Sequence, residues 1–316
     1  LAEERYPVLR EKLMQGLRDG ALGLGIAHQY YPGVTYDEVF RVFQFAAEHQ
    51  APVFTHVRSM GVAAVQEVVS NAVATGASLH IVHLNSSSLG HYRTNLDLVL
   101  GARARGADIT VEAYPYTAAS TDIGSAMFDD GWQEVLQIGY EDIQLQETGE
   151  RLTAESFARH RQEGGLVIMH MMKPEWIRAL LAQPDVMVAS DGMPYAPGAH
   201  PRSAGTFARF LGRYVRDEGV LPLLPALDKI TRQPAERLAV IAPQMRRKGR
   251  VQVGSDADLT LFDPDRIIDT ADFEGDLAYS EGVEYVLVNG TFVVRDGALV
   301  EGARPGRAIV GRGQVL

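Results

Sequence analysis

Three apolar runs lead directly into residues that could hold a metal ion or work beside one. "PVFTH" ends in His56, "LHIVH" ends in His83, and "DVMVAS" runs into Asp191, which Gly192 follows. Neutral imidazoles bind Zn²⁺ while leaving a coordination position open, and the ion lowers the pKa of bound water from about 15.7 to about 7, giving hydroxide at neutral pH. A carboxylate beside that water can take its proton and deliver it to a leaving amine, and Asp191 is the residue for that role. An arginine nearby could grip a substrate carboxylate through paired hydrogen bonds; Arg58 and Arg202 both qualify.

Each of these residues also has a plainer reading. A histidine at a strand end is commonly a hydrogen-bonded core or surface residue, Asp-Gly is ordinary turn chemistry, and Arg58 reads equally as a surface charge. His170, in "VIMHMM", is either a buried structural histidine or a substrate contact. Tyr114 and Tyr116 in "YPYTAAST" could bond a substrate, support the site, or fill space. Met171 and Met172 read as packing. Among the remaining histidines, His200 in "GAHPRSAGTF" stands out because Pro and Gly hold its loop and Arg202 lies beside it.

The elements that must position these groups follow from the hydrophobic pattern. Strand-like runs at Leu22 to Ala27, Val53 to His56, Leu79 to Leu84, Ile109 to Tyr114, Leu166 to His170 and Val186 to Ser190 alternate with helical periodicity. The helical segments include "TYDEVFRVFQFAAEHQ", where Thr35 and Glu38 have capping-box spacing, and "GVAAVQEVVSNAVATG". Alternating β and α units predict a parallel sheet, and six strands fit an α/β barrel lacking its first strands. In such a barrel His56, His83 and Asp191, each at a strand's C-terminal end, converge at the mouth. A doubly wound open sheet is the alternative, but no GxGxxG follows any strand. Near Gly249 the pattern changes to short alternating strands with Gly, Asn and Asp turns: "GRVQVGSDADLTLFD", "VEYVLVNGTFVVRDGALV" and "GRAIVGRG". The expected division is a partial barrel over 1–248 and a small antiparallel β domain over 249–316.

Composition narrows the chemistry. With 316 residues, 46% of them hydrophobic, the chain can bury a large core. A net charge of -10 without basic clusters argues against nucleic acid or an anionic membrane as partner. Zero cysteines exclude disulfides, thiolate nucleophiles and thiolate zinc sites, so any metal is held by histidines and carboxylates. No run of about 18 apolar residues is present, and the expectation is a cytoplasmic protein acting on small molecules. The opening segment "LAEERYPVLREKLMQGLRDGALGLG" reads as a helix entering a strand, as in the middle of a fold.

Several separated blocks, in order, resemble the N-acyl-D-amino-acid deacylases (D-aminoacylases) of the metal-dependent amidohydrolase superfamily. They are "GALGLGIAHQYYPG", "FTHVR", "VHLNSSS", "AYPYTAAST", "VMVASDGMP", "HPRSAGTFARFLGRYVR" and "ITRQPAERLAV", followed by the C-terminal β pattern. The resemblance implies a TIM-like (β/α)8 barrel, N-terminally incomplete, with a small C-terminal antiparallel β domain. It implies His56 and His83 as ligands of one or two zinc ions, Asp191 as catalytic acid and base, and Arg58 as a clamp for the carboxylate of an N-acyl amino acid.

Two departures qualify this. The family's HxH pair on the first strand and its early metal-binding cysteine have no counterpart in this sequence. Where deacylases place a basic residue shortly after the sixth-strand histidine, this chain has Asn85 and serines. "LHIVHLNSSS" is also similar to the equivalent strand in dihydropyrimidinases and dihydroorotases, so a cyclic amide or ureide hydrolase is the alternative activity. An open barrel leaves two sheet edges unpaired, so a companion chain or a homo-oligomer is expected to cover them. A non-catalytic fragment or pseudoenzyme subunit is the third reading.

Overall fold

The computed structural model describes residues 3–275 and 277–315. Four of the apolar runs pair in parallel: Leu24–Ala27 (β1), Val53–His56 (β2), Leu79–Ile81 (β3) and Ile109–Ala113 (β4). The chain then leaves this sheet for Ala119–Asp122 (β5), Ile143–Leu145 (β6) and Leu166–Met169 (β7), which form a separate antiparallel sheet in the order β5-β7-β6. Val186–Val188 (β8) rejoins beside β4, completing the order β1-β2-β3-β4-β8.

Register decides what each face carries. Phe54 lies opposite His80, and His80 opposite Thr110, so these residues share one face; period-2 alternation adds His56 and Glu112 to it. The other face carries Val53, Leu79, Ile81, Ile109 and Val111, all fully buried in one core with Val65 and Val68 of the helix Val62–Thr75. The helix Tyr36–Glu48 starts at the anticipated capping box, with the Glu38 amide donating to Thr35 Oγ1 at 3.1 Å and the Thr35 amide to Glu38 Oε2 at 2.7 Å. The polar face of the sheet is therefore the one turned away from the covering helices.

Three expectations need correction. Leu166–His170 is not a barrel strand: its run forms β7, the centre of the antiparallel insertion. "LVIM" is apolar on both faces, so periodicity could not tell a parallel-sheet strand from one sandwiched in an insertion. The runs at 250–253 and 307–310 form no strand. Val251 and Val253 are 90% and 100% exposed, with nothing among the described residues to pair or cover them.

The antiparallel sheet after Gly249 begins at Leu259–Phe262 (β9) and continues through Val283–Val288 (β10), Thr291–Arg295 (β11) and Ala298–Leu299 (β12), in the order β12-β11-β10-β9. Asn289 and Gly290 turn the β10–β11 hairpin with φ of 48° and 77°, the positive pair that a two-residue type I′ turn requires. Between β9 and β10 the chain returns to the barrel unit. Ile267 is buried in its core and Asp269 pairs with Arg209 at 2.9 Å. A Cβ on Gly212 would lie 2.1 Å from the Ile267 carbonyl oxygen. Gly212→Ala is therefore expected to lower stability by about 1–3 kcal/mol, read as a reduced denaturant midpoint at unchanged slope.

Among the described residues β1 pairs only with β2, and β8 only with β4, so the parallel sheet is open at both edges. No helix of the described residues is long and apolar enough to cross a membrane.

Candidate metal and acid–base site

His56 is the last residue of β2 and points from the polar face. His83 lies two residues beyond β3 in the left-handed region, at φ 36° and ψ 57°, and starts the short helix Leu84–Ser88. Asp191, three residues beyond β8, is also left-handed at φ 49°. Histidine and aspartate visit this region at a cost, and held there by their surroundings they mark sites where side-chain direction matters. All three line one cavity of about 460 Å³, together with Glu112 and Arg202.

The two imidazoles face each other, with His56 Nδ1 2.9 Å from His83 Nε2. Their outer nitrogens are engaged: His56 Nε2 lies 2.8 Å from Gln29 Oε1, and His83 Nδ1 lies 3.1 Å and 3.2 Å from the hydroxyls of Ser86 and Ser87. Gln29 Oε1 can only accept, so His56 carries its proton on Nε2 and turns the Nδ1 lone pair toward His83. Burial, followed by the charge His83 would carry, pushes the His56 pKa down to about 3; burial pushes His83 down to about 4. Both rings are thus neutral donors at physiological pH. The pair fits two ligands of a zinc ion, with outer hydrogen bonds of the kind that orient ligating histidines. Among the described residues no group of three or more His, Cys, Asp or Glu is placed to hold an ion.

Opposite the histidines, Arg202 Nη1 approaches Asp191 Oδ2 to 2.9 Å. Arg202 is 2% exposed, its guanidinium lies 4.8 Å from the Tyr114 ring centre, and its Nε and Nη1 make no aligned hydrogen bond. With Nη1 paired to Asp191, the buried Nε is the donor left idle in the cavity wall, a feature an anionic ligand would satisfy. Burial raises the Asp191 pKa above the ordinary carboxylate value; Arg202 opposes this and the Glu112 charge adds to it.

The structure brings His56, His83, Asp191 and Arg202 together and places the other anticipated residues elsewhere. Arg58 points away: Nε and Nη2 bond Glu67 at 2.9 Å and 2.8 Å, Nη1 bonds the Val34 carbonyl at 2.5 Å, and the ring of Tyr36 covers it. With those donors engaged, it does not clamp a substrate in this cavity. Tyr116 is buried and donates to Asp269 at 3.1 Å, tying the barrel to the segment after β9. His200 is fully buried, facing the Ala118 carbonyl through Nε2 at 3.0 Å and accepting from the Arg202 amide through Nδ1 at 3.1 Å. It shapes the Arg202 turn and does not line the cavity. Tyr114 lies behind Arg202, and its hydroxyl has no well-formed hydrogen bond. The reading of the sequence missed Gln29, Ser86, Ser87 and Glu112. Glu112 carried a legible signal, a charge alternating with apolar residues inside the strand "ITVEA"; it accepts from His80 Nε2 at 2.9 Å.

Residues 17–294 match the model of the amidohydrolase family. The chain belongs to that family. Among curated amidohydrolase relatives it is similar to a D-aminoacylase of Alcaligenes xylosoxydans xylosoxydans, 29% identical over 97% of this chain and 65% of the relative. An N-acyl-D-glutamate deacylase of the same organism is 30% identical over 95% of this chain and 63% of that relative. The chain therefore spans a little under two thirds of the length of these relatives. Among solved structures, N-acyl-D-glutamate deacylase from Bordetella bronchiseptica, complexed with zinc and a phosphonate mimic of the tetrahedral intermediate, superposes with a TM-score of 0.80 at 27% identity, covering 95% of this chain and 66% of that one. A D-aminoacylase structure gives 0.83 at 28%, covering 98% and 67%. L-hydantoinase from Arthrobacter aurescens, at 17% identity and 0.60 over 98% and 70%, shares the fold.

The buried histidines also set the amidohydrolase's response to acid. Burial lowers His170 to about 4 and His200 well below its usual value. The unfolded chain then takes up protons first, so stability is complete above about pH 6.5 and is lost as pH falls toward the folded values. Melting temperature is expected to fall steadily below that point, and His170→Gln to flatten the fall. An unchanged slope in that variant would contradict the assignment for His170.

Proposed function

We propose that this amidohydrolase cleaves the amide of N-acyl-D-amino acids with zinc bound at His56 and His83. The observation carrying this reading is the facing pair of neutral imidazoles in one cavity with the Asp191–Arg202 pair. Bound zinc would polarise the scissile carbonyl and make water acidic enough to yield hydroxide near neutrality. Asp191, with its raised proton affinity, is the group placed to accept a proton from the attacking water and to deliver it to the leaving nitrogen. Arg202 holds the substrate carboxylate through its unpartnered Nε beside the Asp191 pair, with Tyr114 packed behind it. Gln29 and Ser86 fix which imidazole nitrogens are free.

Higher identity and superposition with the deacylases than with L-hydantoinase support a linear amide over a cyclic one. The net charge of -10 supports a small dissolved substrate rather than nucleic acid or membrane, and we propose a cytoplasmic setting. The open edges of β1 and β8 support cover by additional β structure, from a companion chain or a further copy. The test is hydrolysis of N-acetyl-D-amino acids by the full-length, zinc-loaded protein, with hydantoins and dihydropyrimidines in parallel. Turnover of the cyclic amides alone would replace this reading. Zinc-free protein in stable complex with a companion chain, inactive on both, would favour an assembly role.

A further inference from the structure

We propose that Glu112 receives the N–H of the scissile amide and so orients the leaving nitrogen toward Asp191. The inference rests on the deacylase reading and adds a residue to its site. Glu112 lies on β4 opposite Met187 of β8, the strand that carries the chain on to Asp191. It lines the cavity together with His56, His83 and Asp191. One of its oxygens is engaged: His80 Nε2 lies 2.9 Å from Glu112 Oε2, and His80 Nδ1 lies 2.7 Å from Thr110 Oγ1. A carboxylate only accepts, so His80 carries a proton on Nε2, and in the neutral ring Nδ1 accepts from the Thr110 hydroxyl. Thr110 and Glu112 share one face of β4, and His80 stands opposite Thr110 in register, so the sheet itself fixes this brace.

The brace leaves Glu112 Oε1 without a hydrogen-bond partner among the described residues, and with the side chain 19% exposed that oxygen is open to the cavity. The other acceptors of the lining are largely committed. The hydroxyls of Tyr30 and Thr121 bond each other at 3.1 Å, Ser86 bonds His83, Asp122 accepts the Gly124 amide at 2.6 Å, and Asp191 faces Arg202. Ser120 keeps an unpartnered hydroxyl, a neutral group and a weaker acceptor than a carboxylate. A secondary amide brings one donor, its N–H, which loses its water on entering the cavity and needs a new acceptor there. As the carbonyl is attacked the nitrogen becomes pyramidal. An N–H held on Glu112 leaves the developing lone pair free to take the proton that Asp191 delivers.

The experiment measures kcat/KM of the full-length, zinc-loaded protein on N-acetyl-D-alanine and on two substrates that lack the N–H. N-acetyl-N-methyl-D-alanine keeps a basic leaving amine, and O-acetyl-D-lactate puts oxygen in place of the nitrogen. Glu112→Gln preserves size and the bond from His80, which its carbonyl oxygen accepts, but turns an NH₂ donor toward the cavity. It is expected to lower the ratio of kcat/KM on N-acetyl-D-alanine to that on each N–H-free substrate by about 10- to 100-fold, with zinc content unchanged. Glu112→Asp keeps the charge and withdraws the oxygen from the cavity, and is expected to lower the same ratios, which separates position from charge. Equal losses on all three substrates in both folded variants would make Glu112 a structural or purely electrostatic residue, overturning the inference and leaving the deacylase reading standing. Loss of zinc from Glu112→Gln would assign the carboxylate to the metal and overturn it too. Turnover of none of the three by the wild type, with zinc bound, would sink the deacylase reading and this inference with it.

Discussion

His83→Asn is expected to remove the zinc and about 1,000-fold or more of the kcat/KM while leaving the metal-free protein at least as stable as before. Zinc content falls because one of two facing nitrogens is gone and an ion held by the remaining imidazole is weakly bound. Stability holds because His83 occupies a left-handed backbone conformation that costs an ordinary residue roughly 1–2 kcal/mol and that asparagine adopts readily. Removing its ring also ends the close approach to His56. Strain kept for function and released on its loss is the stability–activity trade seen at many sites. Metal analysis, turnover and melting of the metal-stripped protein are measured together. Full zinc occupancy in the variant would refute the ligand assignment, and a large fall in metal-free melting temperature would mark His83 as a structural histidine.

The residues that could be read from the sequence are those whose position follows from topology. In a parallel sheet all strands end on one side, so residues at the ends of "PVFTH", "LHIVH" and "DVMVAS" come together wherever the helices lie. That is why His56, His83 and Asp191 share a cavity. Arg58 was not legible in the same way. It sits two residues past a strand end, but its direction is set by Glu67, nine residues on in the helix Val62–Thr75, and no pattern in "VRSMG" announces that pairing. His200 and Tyr116 failed for a related reason: a polar residue in a loop held by Pro and Gly can as well join two segments of chain as face a ligand. The antiparallel insertion was hidden because "LVIM" is apolar on both faces, and its strands β5 and β6, "ASTD" and "IQL", are too short and polar to show a period. Glu112 was visible as a charge within a strand and was passed over because its partner, His80, lies on another strand.

Asp191→Asn tests the other half of the site and is expected to lower kcat/KM by about 100- to 10,000-fold with zinc retained. Asparagine keeps the size and the left-handed backbone of Asp191, so the loop after β8 is preserved. The change removes the proton acceptor. It also leaves Arg202, which is 2% exposed, without its carboxylate partner, and a modest loss of melting temperature is expected from that buried charge. The pH profile separates the two effects. The unprotonated carboxylate is the active form, so wild-type kcat/KM falls as pH drops through the Asp191 pKa, which burial raises above the ordinary carboxylate range. The variant, lacking the group, loses that acid limb, whereas a variant damaged only in packing would keep it at reduced amplitude. An acid limb at the same pH in both proteins would assign the proton transfer to a group other than Asp191.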